Sequence, residues 1–191
     1  MKINLLIIIY LTFFTSCRQP DKVVYFEDFG WTIKLPSHFK IVDTAKVSEM
    51  TKTGDKMIKD STGKKLNYSG RNLITAKVND ENYFTSSFSA FSDVTSENWE
   101  AHDSITKELF LQTTNKTFRV QPEIKHSIDD FDGVKFRKLD VEYALNKSET
   151  LHIAYLATFY RTRYLSIVEI YTDSALGSEM LRMLKASKFK K

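Results

Sequence analysis

Residues 120–171 leave the chain little choice of fold. Four strand-like runs fill this stretch, with alternating parity clearest over residues 134–145, and three short polar breaks separate them: Asp132-Gly133, Asn146-Lys147-Ser148 and Arg161-Thr162-Arg163. A period of two puts successive side chains on opposite faces of a strand. Asp-Gly between two such runs marks a tight turn joining antiparallel neighbours, because both central residues of that turn have positive φ. Four successive strands are therefore predicted, over residues 120–128, 134–145, 149–160 and 164–171, as an antiparallel meander. In the second of them Val134 and Phe136 share one parity, whereas Leu139, Val141, Tyr143 and Leu145 share the other. A bulge near Arg137-Lys138 is predicted to absorb this slip.

The rest of the chain supplies further strands and the covering helices. Residues 23–28 and 30–35 are β-rich, and Trp31-Thr32-Ile33-Lys34-Leu35 alternates until Pro36 ends it. Phe39 and Ile41 are expected to pin the following loop to the core. Over 44–60, Val47, Met50, Met57 and Ile58 recur at helical intervals around a weakening Gly54. Residues 61–71, with Gly63 and Gly70, read as an exposed loop. Residues 72–78 (Ile74, Ala76 and Val78 on one face) and 83–91 (Phe84, Ser86, Phe88 and Ala90 in register) form a hairpin across Asn79-Asp80-Glu81-Asn82. Ser96 is a candidate N-cap for a helix over 96–117 with a stripe of Ala101, Ile105 and Leu109. Asp173 caps a closing helix over 174–186, whose stripe is Leu176, Met180, Leu181 and Leu184. The order predicts an α+β fold, with an antiparallel sheet of about six to seven strands flanked by three helices in an α/β/α sandwich.

The amino terminus reads as an address. Lys2 precedes an apolar run from Ile3 to Phe14, interrupted by Asn4 and Thr12, and Thr15 and Ser16 lead into Cys17, the one cysteine of the chain. The run falls short of the roughly 20 apolar residues that span a bilayer, so it is expected to be a removable export signal over residues 1–16. Phe14-Thr15-Ser16-Cys17 resembles the lipobox of bacterial lipoproteins, which implies that Cys17 receives a diacylglyceryl thioether and becomes the acylated mature terminus. Residues 17–22 then form a tether, and residues 23–191 are one domain by the usual span of about 100 to 200 residues. Arg18 stands where some Gram-negative lipoproteins carry an Asp that resembles an inner-membrane retention signal. The expected location is accordingly the periplasmic side of the outer membrane.

With Cys17 acylated no intramolecular disulfide is available. Six glycines, three prolines and 13% aromatic residues exclude a low-complexity chain. The net charge of +4 is partly terminal, in Lys185, Lys188, Lys190 and Lys191, and the other bases are scattered among acids. That is a solvated helix end rather than the basic, aromatic-studded stripe of a nucleic-acid binder, and no nucleic-acid partner is expected.

Three short motifs carry a resemblance to a known fold: Trp31-Thr32-Ile33-Lys34-Leu35-Pro36-Ser37-His38-Phe39, the hairpin entry Asp132-Gly133-Val134, and the ending Ser187-Lys188-Phe189. Over most of the mature chain these resemble the fold shared by PsbP proteins, Mog-type Ran-binding proteins and small bacterial PsbP-like lipoproteins. The resemblance implies a scaffold for binding and assembly at membranes, with no catalytic set to carry over. It implies neither photosystem nor Ran partners.

The chemistry in the sequence is sparse. His38, His102, His126 and His152 are far apart and make no ligand pair at helical spacing. There is no GxSxG and no glycine-rich phosphate loop. Asp129-Asp130-Phe131-Asp132-Gly133 lacks the donor spacing of a calcium loop and reads as a hairpin turn. Tyr155, Phe159, Tyr160, Tyr164 and Tyr171 crowd two strands, either as core beneath the helices or as one wall of an apolar groove. No catalytic residue, metal or cofactor is expected. The function expected is a non-catalytic binding or assembly-support lipoprotein held to a membrane through its N-terminal lipid, with an envelope protein as partner. The alternative is a periplasmic enzyme whose site is assembled only in the tertiary structure.

Overall fold

The computed structural model describes residues 20–43, 47, 70–89, 95–119 and 121–190. The leader, Cys17 and most of the expected 44–60 helix lie outside the described residues; Val47, within that helix, is helical and buried. The elements are β1 (Lys22–Phe26), β2 (Trp31–Leu35), β3 (Lys40–Ile41), β4 (Gly70–Lys77), β5 (Tyr83–Ser89), α1 (Trp99–Phe118), β6 (Glu123–Phe131), β7 (Val134–Ala144), β8 (Thr150–Tyr160), β9 (Arg163–Tyr171), α2 (Ser174–Lys185) and β10 (Lys188–Phe189).

A seven-stranded antiparallel sheet, ordered β3-β4-β5-β9-β8-β7-β6, forms the middle layer. The expected meander is there, and Asp132-Gly133 turns with φ of 55° and 84°. The β8–β9 turn has the same positive-φ form, at Arg161 and Thr162, without a glycine. The expected single sheet flanked by three helices needs correction. A separate three-stranded sheet, β1-β2-β10, forms part of a second layer, and the described residues contain two α-helices of appreciable length. The reason is burial: Trp31, Ile33 and Leu35 all point from β2 into the apolar cluster over the large sheet, a role an edge strand within that sheet could not fill. Phe26 and Phe189 stack on Trp31 with ring centroids 5.0 and 5.9 Å away.

The predicted bulge at Arg137-Lys138 is absent. β7 pairs with β6 in unbroken register from Phe131↔Val134 to Glu123↔Glu142, and with β8 from Arg137↔Ala157 to Ala144↔Thr150. The strand runs straight and its cover changes instead. Val134 and Phe136 enter the cluster beneath β2 and α2, whereas Leu139, Val141 and Tyr143 enter a second cluster beneath α1. Among the described strand pairs the register shift lies elsewhere, in β4, between Asn72 and Ile74. Central β8 and β9 are covered on both faces, so they read as nearly continuous apolar runs.

α1 also departs from expectation. It starts at Trp99 rather than near Ser96, and its cap position, Asn98, makes no side-chain cap bond; Asn98 Oδ1 instead accepts from the Thr95 N–H at 2.7 Å. The expected stripe does not face the sheet, since Ile105 is 57% exposed and Ala101 is exposed. The buried face carries Asp103 and Lys107, with Trp99, Phe110, Leu111 and Phe118 packed on the sheet around them. Counting aliphatic residues pointed to the wrong side because two charges occupy the inward positions. No helix among the described residues is long and apolar enough to cross a membrane.

α2 is capped as predicted, with Asp173 Oδ1 accepting from Ala175 N at 2.8 Å and Leu176 N at 3.3 Å. Met180 and Leu184 are buried as expected, whereas Leu176 and Leu181 are half-buried and Met183 and Gly177 take the inner places. Gly177 is inner because the Tyr171 ring lies where a side chain would be. Gly177→Ala is therefore expected to destabilise the domain by about 1–3 kcal/mol, as overpacking does, although alanine is the better helix former. Urea unfolding of the two chains measures it.

Candidate functional site

α1 crosses the sheet over β7, β8 and β9, and two different environments lie beneath it. Under its N-terminal half is a buried polar network. Tyr164 donates its hydroxyl to Asp103 Oδ1 at 2.9 Å, and Lys107 Nζ donates to Asp103 Oδ2 at 2.9 Å. Arg137 Nε lies 3.4 Å from the same Oδ2. Since the Tyr164 proton goes to Asp103, the contact of 3.2 Å between the two tyrosine hydroxyls is Tyr155 donating to Tyr164. Lys107 also donates to the Arg137 carbonyl at 3.0 Å. Asp103 is fully buried and Lys107 is 5% exposed.

Burial pulls the Lys107 amine below the usual lysine range, and Asp103 works against that shift. Burial first, then Tyr155 and Asp103, push the Tyr164 phenol well above its ordinary value. Both Asp103 oxygens and the Lys107 amine have near neighbours as partners, so the network holds α1 in register on the sheet.

Under the C-terminal half of α1 the packing opens. A groove of about 340 Å³ lies between this half and the ends of β5, β8 and β9. Tyr83, Phe110, Phe118, Leu151, Ile153 and Ile170 line its walls, and Asp80, Glu81 and Glu149 also border it. Thr113, Thr114 and Thr117 line the helix side, each donating its hydroxyl to a carbonyl one turn back. The groove is therefore apolar with an acidic border, and the described residues that line it include no lysine or arginine. The Tyr143 hydroxyl shares its proton between Thr114 Oγ1 at 2.5 Å and Asn115 Oδ1 at 2.8 Å.

On the opposite face of the sheet, Glu169 is 2% exposed, and its Oε1 has no hydrogen-bond partner among the described residues. Burial raises its pKa to about 8; Lys138 lowers it, while Asp140 and Asp129 add to the rise.

The histidines are not brought together. His38 lies 3.0 Å from Glu179 Oε2, His102 lies on α1, His126 is exposed on β6, and His152 stacks on Tyr171 with its Nδ1 3.7 Å from Glu142 Oε1. Among the described residues no group of three or more His, Cys, Asp or Glu side chains is arranged to hold a metal ion. The acidic run at 129–133 is a turn: Asp130 Oδ1 accepts from Gly133 N at 2.7 Å, and Asp132 accepts from Phe189 N at 2.9 Å. Tyr155 and Tyr164 are core beneath α1, whereas Tyr160 and Tyr171 pack at the other cluster, so none of these four tyrosines lines the groove. The sequence reading missed Asp103, Lys107 and Glu169. Glu169 left a trace as a lone acid inside an apolar strand, and the other two as an i,i+4 pair in line with Phe110.

This layering, with a small sheet and α2 on one face of a seven-stranded antiparallel sheet and α1 on the other, defines a PsbP-like α+β fold. The solution structure of cyanobacterial PsbP (CyanoP) from Synechocystis sp. PCC 6803 is similar to this chain with a TM-score of 0.57 and 12% identity, over 90% of this chain and 93% of that one. At that identity the likeness shows the fold. No family model matches the sequence, and no curated protein does.

Proposed function

We propose that the protein is a lipid-anchored binding or assembly-support module of a bacterial envelope, without catalysis of its own. The observation that carries the reading is the short apolar leader that ends in Thr15-Ser16-Cys17. Acyl chains on Cys17 hold the domain to its membrane, each buried methylene adding about 0.8 kcal/mol. Arg18 after the cysteine favours the outer membrane, facing the periplasm.

The groove beneath α1 is the contact site in this reading. Its apolar walls and acidic border suit an envelope protein that presents an apolar side chain flanked by lysine or arginine. Labelling with radioactive palmitate is expected to mark the wild-type chain and leave Cys17→Ala unmarked. Capture from solubilised envelopes is expected to return a partner with the wild type and to lose it with Thr117→Trp, which fills the groove from an exposed helix position. An unlabelled wild type sinks the anchor, and capture that ignores the tryptophan sinks the groove.

A further inference from the structure

β6 is an edge of the seven-stranded sheet, and no strand among the described residues pairs with its outer side. The two-residue turn makes Phe131 and Val134 a hydrogen-bonded pair. Because such pairs alternate along an antiparallel ladder, the backbone bonds of Glu123, Lys125, Ser127 and Asp129 also go to β7. Those of Ile124, His126, Ile128 and Asp130 point outward, away from the sheet.

Natural edges are blunted by shortness, charged side chains, bulges, proline or a covering segment, and of these β6 has, among the described residues, only charges, of both signs: Glu123, Lys125, Asp129 and Asp130. β3, at the opposite edge, is two residues long. β6 runs for nine, pairs without a bulge and contains no proline. Residues 123–128 are all exposed, Ile124 by 40% and Ile128 by 67%.

We propose that β6 pairs antiparallel with β6 of a second copy of this chain, about a two-fold axis through Ser127. An axis normal to the sheet keeps each residue on its own face, so the charge pattern selects the register. Centred on Ser127, Lys125 stands opposite Asp129 of the second copy, and the symmetry makes that pair twice. On the other face His126 meets Ile128, also twice. Centring on His126 instead sets Glu123 against Asp129, and centring on Ile128 sets Lys125 against Phe131 and Asp129 against Ser127, so neither makes the Lys125–Asp129 pair. Lys125 now lies 2.8 Å from Glu123 of its own strand and 4.0 Å from Glu142, and Asp129 lies 3.8 Å from Lys138; the Lys125–Glu123 pair is solvent-exposed, a kind that exchanges easily.

Cysteine scanning tests the register directly. Cys17 is the one native cysteine, so the wild-type full chain is the control. Across the axis the two Ser127 Cα atoms face each other at about 4.5 Å, inside the range a disulfide accepts. In detergent and under mild oxidation, full-length Ser127→Cys is expected to form a disulfide dimer that the wild type does not. His126→Cys and Ile128→Cys, each of which faces the other position, are expected to cross-link less. Without cross-linking, Lys125→Asp is expected to raise the dissociation constant by roughly tenfold or more, and adding Asp129→Lys to restore it. Three results would each overturn the pairing: no dimer from a folded Ser127→Cys chain, stronger cross-linking at 126 or 128 than at 127, and a charge swap that stays monomeric at millimolar concentration.

Discussion

Asp103→Ala is expected to lower the stability of the domain by about 3–5 kcal/mol, the range for breaking a buried ion pair from one side. The substitution strands the Lys107 amine, which is 5% exposed and has the Arg137 carbonyl as its other close partner. It also leaves the Tyr164 hydroxyl without its acceptor and Arg137 Nε without its nearest carboxylate. Replacing both charges, as Asp103→Leu with Lys107→Met, is expected to recover most of the loss. Apolar side chains of similar volume need no solvation, and Phe110, Leu111 and Tyr155 already surround the site. Urea unfolding of Asp103→Leu, Lys107→Met and the double variant measures the coupling as a cycle. If Asp103→Ala loses less than about 1 kcal/mol, the network is no more than an exposed pair in its energetics.

The second large effect is a pH dependence that runs opposite to ordinary acid denaturation. Glu169 has its pKa raised from 4.5 to about 8, chiefly by burial. The folded chain therefore binds a proton that the unfolded chain has released across this range. Its contribution to stability is complete below pH 4.5 and is lost as pH rises through about 8. Each tenfold change in proton affinity is worth about 1.4 kcal/mol, so the loss over the window is on the order of 5 kcal/mol. Glu169→Gln keeps the shape and removes the titration. The variant and the wild type should differ little in pH dependence below pH 4.5, and by pH 9 the variant should have gained a few kcal/mol on the wild type. Denaturant midpoints at several pH values decide it. A difference between the two chains that stays constant from about pH 5 to pH 9 would show that the buried carboxyl is ionised throughout.

Much of the fold was legible because its signals are local. Asp132-Gly133 has the residue types that two successive positive φ angles favour, and the observed turn uses both. Asp173 capped α2 as read, since a side-chain oxygen there meets amides two and three residues on. The alternation of Trp31, Ile33 and Leu35 correctly marked a strand with one buried face. It could not say against which layer that face would lie. Likewise the slip of parity in β7 was real, but a change of cover and a bulge leave the same trace in a sequence.

The candidate site was far less legible. Hydrophobic periodicity identifies an inward face by its apolar residues, and the inward face of α1 holds Asp103 and Lys107 at positions such counting treats as outward. They are inward because Tyr164, Arg137 and each other supply partners, and Tyr164 lies 61 residues along the chain from Asp103. The groove has the same character, since its walls come from α1, β5, β8 and β9.

The sequence by itself determined the strands of the meander, the cap of the last helix and the expectation of a lipid on Cys17. Each of these rests on residues adjacent in the chain, where backbone sterics, alternation or a cleavage motif act without outside help. Only the tertiary structure decided which face each strand buries, that two sheets share one core, and that charges sit under α1 while Glu169 Oε1 has no partner among the described residues. Solvation is the reason: whether a side chain is removed from water depends on what folds over it, and that cover comes from parts of the chain far away in sequence.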